Sequence, residues 1–102
     1  MNTCPLVRLK DILLTKINTR EVGEIEVVLI VLDTVKPIWI ANQYHYKGKE
    51  IATWAKDTLV MWRSETTHWK RRRKLDTLIT KAEGLAEEFW RAECEWKQGK
   101  VA

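Results

Sequence analysis

The sequence predicts an α+β fold: a small antiparallel β-meander or barrel over about residues 5–62, then a long C-terminal amphipathic helix over about residues 66–98. Three observations carry this expectation. Residues 24–32 are dense in β-branched side chains. The pair Lys47-Gly48 lies between two apolar or aromatic stretches, where a tight hairpin turn belongs. Leu75, Leu78, Ala82, Leu85, Phe89, Ala92 and Trp96 recur at alternating steps of three and four, an unbroken a/d stripe over three heptads. A chain of 102 residues suits one domain, so residues 1–102 are read as a single unit.

Residues 6–17 allow two readings. Leu6, Leu9, Leu13 and Ile17 have helical spacing, while Thr15 and Ile17 alternate as an irregular strand would. Asn18 through Gly23 has Asn and Gly in turn roles. Residues 24–32, EIEVVLIVL, read as a central strand: Glu24, Ile25, Glu26 and Val27 alternate, and the rest is apolar on both faces. Asp33 through Pro37 turns the chain. Residues 38–46 form the next strand, with Ile38, Ile40, Asn42, Tyr44 and Tyr46 on one face. The Lys47-Gly48 turn then pairs Tyr46 with Lys49 and His45 with Glu50. Residues 49–63 fork. Ile51, Ala55, Leu59 and Trp62 share a helical face, but the hairpin chemistry favours two strands around Lys56-Asp57. In the C-terminal helix, Thr66 or Thr67 suits the N-cap and Gly99 the stop.

The stripe has a further implication. A helix of about 30 residues spans roughly 45 Å, against a gyration radius near 13 Å for a domain of this length. The helix outruns its own sheet. Leu75, Leu78, Ala82, Leu85, Phe89, Ala92 and Trp96 are therefore the expected interface of a homo-oligomer, a dimer through the C-terminal helix.

Charge is unevenly placed. Net charge is +4, but residues 63–74 carry six cations against Glu65, while residues 75–96 carry Lys81 and Arg91 against six anions. The basic block includes HWKRRRK, residues 68–74. In a helix, Lys70, Arg71, Arg72, Arg73 and Lys74 point all round the cylinder, so they are not the polar face of an amphipathic helix. Carried backwards from Leu75, the stripe would fall on Arg71 and His68, so the packed seam ends at about Leu75. Cations at a helix start oppose the macrodipole, and so do anions near its end.

Two functional readings follow. The first is a basic nucleic-acid-binding accessory or regulatory protein. Lys70, Arg71, Arg72, Arg73 and Lys74 contact phosphates, Trp69 stacks with Trp62 nearby, and Tyr44 and Tyr46, with Lys47 and Lys49, extend the surface. The second is a non-enzymatic assembly or inhibitor protein that binds another protein through its Trp-rich helix. Six tryptophans suit either, since Trp serves both stacking and interfaces. In that reading the basic head meets the acidic half of a neighbouring antiparallel helix.

Other classes find little in the sequence. HExxH, GxSxG, GxGxxG and the phosphate-binding GxxxxGK[ST] are all missing. His45 and His68 lack metal-ligand spacing, and Cys4 and Cys94 form no CxxC pair, so neither metal nor cofactor is expected. The longest uninterrupted apolar run, VVLIVL, falls far short of the ~20 residues of a membrane span. Arg8, Lys10 and Asp11 break the order of a signal peptide. The expected setting is cytoplasmic.

Overall fold

A computed structural model describes residues 22–101 of the chain. The expected β-meander is not there: these residues form three α-helices and no strand. Helix α1 spans Val22–Ala41, α2 spans His45–Glu65 and α3 spans Trp69–Val101. They run up, down and up. The pair Lys74–Glu26 near the start of α1 and the pair Lys36–Glu88 near its end place α1 parallel to α3. Residues 6–17, Cys4 and Pro5 lie outside the described residues.

Helix α1 takes the whole of the predicted strand at 24–32, the predicted turn at 33–37 and the first part of the second strand. Ile25, Leu29, Leu32, Val35 and Trp39 recur at helical steps and are all buried. This period was masked in the sequence because the other faces are apolar too. Val27, Ile30 and Ile38 stay about half exposed. β-Branched residues lower helix propensity only slightly, and burial of a full stripe outweighs that. Pro37 lies inside the helix rather than at its boundary, where it has no N–H to donate to the previous turn.

The end of α1 is a Schellman motif. The Tyr44 N–H donates to the Trp39 carbonyl (2.7 Å) and the Gln43 N–H to the Ile40 carbonyl (3.2 Å). Gln43 adopts φ 65°, the left-handed conformation that usually calls for glycine. The Tyr44 and Trp39 rings pack 6.3 Å apart, supplying the hydrophobic contact of the motif. Tyr44 then starts α2, its carbonyl accepting from the Lys47 and Gly48 N–H groups.

Lys47-Gly48 is therefore no hairpin turn; both residues are helical. Gly48 is there for close approach. A β-carbon on it would sit 2.4 Å from the Phe89 ring of α3. Gly48, Ala52 and Ala55 are all buried, and α2 packs more extensively on α3 than on α1. The helical alternative for residues 49–63 is the correct one: Ile51, Ala55 and Leu59 face the core, with Trp62 at its edge. The predicted His45–Glu50 contact does not form. Glu50 accepts from Lys47, while His45 turns inward beside Trp96.

Helix α3 begins at Trp69, after residues 66–68, and continues through Gly99 to Val101. Its 33 residues span about 50 Å at 1.5 Å each, matching the molecule's longest extent of 49 Å. Leu75, Leu78, Ala82, Leu85 and Phe89 are each 5% exposed or less. Helices α1 and α2 of the same chain seal this stretch of the stripe, which corrects its assignment as a dimer interface. Only the last members, Ala92 and Trp96, remain partly open. No helix among the described residues is long and apolar enough to cross a membrane.

Candidate nucleic-acid interface

The cationic run opens α3. Lys70, Arg71, Arg72, Arg73 and Lys74 are all exposed, and Leu75 directly after them is fully buried. The seam stops there, and about a turn and a half of helix projects past the core. Trp69 is 63% exposed, and the Lys70 ammonium lies over its ring, 5.6 Å from the centroid.

The backbone makes this end positive as well. The Arg72 N–H donates to the His68 carbonyl (3.0 Å), so the N–H groups of Trp69, Lys70 and Arg71 precede the helical ladder. Because α1 and α3 are parallel, two helix N-termini share this end with one C-terminus. Helix α3 has no acidic residue in its first turn. Each cation near such an end is unfavourable by about 0.3–1 kcal/mol before screening. The opposite half of the dipole expectation fails. The helix runs on to Val101, so Glu93 and Glu95 lie short of the last turn, where the dipole acts.

Few acids offset the run. Lys74 lies 3.8 Å from Glu26, and Arg63 of α2 pairs with Asp76. Lys70, Arg71, Arg72 and Arg73 have no carboxylate partner among the described residues.

The acidic half of α3 is meanwhile engaged inside the chain. Glu88 accepts from Lys36 (2.6 Å), Glu93 from Lys49 (2.8 Å), and Glu87 from Arg91 (2.7 Å). Lys97 also approaches Glu93, at 3.3 Å. With Asp76, four of the six anions between residues 75 and 96 are paired, leaving Glu83 and Glu95 without an ion pair among the described residues. The hydrogen bond from Lys49 holds Glu93 below the usual carboxylate range, partial burial opposing and Lys97 assisting. The bond to Glu88 likewise holds Lys36 above its ordinary value, with burial opposing.

The other predicted contacts are elsewhere. Tyr44, Tyr46, Lys47 and Lys49 lie at the α1–α2 turn, while Arg63 marks the far end of α2. The 17 steps from Tyr46 to Arg63 are about 25 Å of helix. Only Tyr46 presents a largely open ring; Tyr44 is half-buried against Trp39. Lys47 pairs with Glu50 (3.3 Å) and Lys49 with Glu93, so both are committed. Trp62 packs against the core and is not a stacking neighbour of Trp69. The predicted ten-residue surface thus divides into a basic end and an aromatic end. The sequence places His45 within the aromatic segment Tyr44-His45-Tyr46 but gives Gln43 and Glu93 no binding role. Only the tertiary fold brings His45, Gln43 and Glu93 together, from a turn and two helices.

No protein-family model matches the chain, and no curated protein or solved structure matches it either.

Proposed function

We propose that the protein is a cytoplasmic, non-enzymatic accessory or regulatory protein that binds nucleic acid through the start of α3. Arg71, Arg72 and Arg73, with Lys70 and Lys74, contact phosphates, and the exposed ring of Trp69 stacks beside them. One observation carries the reading. The arginines are exposed and have no carboxylate partner among the described residues, while most of the acidic residues that a head-to-tail helix dimer would offer are already paired within the chain. An external anion at this end would relieve the repulsion among the cations and could also meet the free N–H groups of the helix start. No second copy of the chain is needed.

The second reading, a protein-binding role, is favoured by a different feature. Val27, Ile30 and Ile38 on α1 and Trp90 on α3 are each about half exposed. Large apolar side chains open to water suit a protein partner.

Retention on single- and double-stranded nucleic acid across a salt series tests the first reading. Each phosphate contact contributes about −0.9 to the log–log slope on duplex, or about −0.7 on single strands. Replacing Arg71, Arg72 and Arg73 by Ala should flatten the slope by about 2–3. Absence of wild-type binding at low salt defeats the reading. A slope unchanged in the variant places the contact elsewhere.

A further inference from the structure

The aromatic end holds a pocket of about 300 Å³, lined by Gln43, His45, Tyr46, Glu93 and Trp96. It lies at the opposite end of the molecule from the cationic run. His45 is 4% exposed, the one buried polar or charged side chain among the described residues. Its imidazole lines the pocket and has no hydrogen-bond partner among the described residues. Among the described residues the fully enclosed polar side-chain atom without a partner is Trp39 Nε1, so the imidazole nitrogens of His45 stay accessible from the pocket, where a ligand or water can reach them. Its ring packs 5.7 Å from Trp96 and edge-on to Tyr46 at 6.4 Å, so two aromatic walls adjoin it.

The charges around the pocket narrow the ligand. Glu93 already accepts from Lys49 and Lys97, so it offers little to a further cation. The Tyr46 ring already carries the Lys47 ammonium, 5.6 Å from its centroid. The three lysines are in turn committed to Glu50 and Glu93, so an anion finds no unpaired charge among them. What remains is flat aromatic surface beside donors and acceptors. A neutral imidazole offers one of each, and the Gln43 amide offers both. Gln43 also keeps a left-handed backbone that glycine would adopt more easily, which leaves its side chain at the pocket.

We propose that this pocket binds an uncharged planar heteroaromatic ring of the nucleobase class. Tyr46 and Trp96 stack on the ring, while His45 and Gln43 read its hydrogen-bonding edge. Unstacked bases are commonly held in this way, between aromatic faces and polar edge contacts. The site is separate in place and chemistry from the phosphate grip and needs no phosphate.

Calorimetric titration with adenosine, guanosine, cytidine and uridine tests it. At least one nucleoside should bind saturably, with an affinity that hardly changes between low and high salt. Trp96→Ala should weaken it about 10-fold, within the range of a lost base–aromatic stack. His45 is buried, so its replacement risks the fold; Gln43→Gly avoids this, and should make the protein more stable while weakening the nucleoside. Replacing Arg71, Arg72 and Arg73 by Ala should leave nucleoside binding intact, which separates this site from the phosphate grip. Competition by an oligonucleotide of the preferred base would identify a base within a strand as the ligand. No competition would identify the free nucleoside. The proposal is overturned if none of the four binds at millimolar concentration, or if Trp96→Ala and Gln43→Gly both bind as wild type does.

Discussion

Gly48 sets how closely α2 and α3 approach. Any β-carbon there would press into the buried Phe89 ring, which is fully enclosed and has little room to move. Gly48→Ala should therefore destabilise the protein by about 1–3 kcal/mol, despite the better helix propensity of alanine. A denaturant midpoint equal to or above wild type would show that the two helices are not packed as described. Glu93 makes a pH-dependent contribution at the same end. Its carboxyl is held below its ordinary value, so its ion pairs stabilise the fold above about pH 4.3, the unperturbed Glu range. That contribution is lost as pH falls through the lowered value. Urea midpoints for wild type should drop from about pH 5 downwards, and Glu93→Gln should make this part of the profile flatter. Identical profiles would mean that Lys49 and Lys97 do not hold the carboxylate in solution.

At the level of the helices, α3 was legible in the sequence, α2 only as an alternative over residues 49–63, and α1 not at all. Its seven-residue stripe has charged residues between its members, so the period stands out, and the run before Leu75 ends the seam where expected. Helix α1 hides the same signal. Ile25, Leu29, Leu32 and Trp39 form a helical stripe, but Val27, Ile30 and Ile38 fill the faces between them. Such a segment reads equally as a buried strand. In α2 the misleading residue was Gly48, since a glycine demanded by close packing resembles one demanded by a turn. A β-meander over residues 5–62 covers only part of the α3 stripe, which is why the sequence points to a second copy there. Of the candidate site, the cationic run was legible because five adjacent cations cannot share a face. The pocket around His45 depends on residues 43 and 96 meeting, which no local pattern encodes. The start of α3 also carries a stability prediction. Arg71, Arg72 and Arg73 repel one another and oppose the helix dipoles, so without ligand their replacement by Ala should stabilise the fold by about 1 kcal/mol or more. A destabilised triple variant would mean that these side chains pack structurally rather than wait for an anion.

The whole molecule separates its chemistry along the 50 Å of α3. Two helix N-termini and the cationic run, four of whose five members have no carboxylate partner among the described residues, sit at one end, and an aromatic pocket lies at the other. Between them run Lys36–Glu88 and Lys49–Glu93, ion pairs that hold the acidic half of α3 inside the fold. The exposed Lys36–Glu88 pair contributes only about 0–1 kcal/mol, while Lys49–Glu93 is partly buried. They also occupy two of the glutamates that a second copy's basic end would meet. The most direct test of this arrangement is backbone amide chemical-shift mapping during titration with a short single-stranded oligonucleotide at low salt. The amides of Trp69, Lys70, Arg71, Arg72 and Arg73 should move first and furthest, and added salt should reverse the shifts. Amide shifts confined to α1, or none at any ratio, would contradict this arrangement.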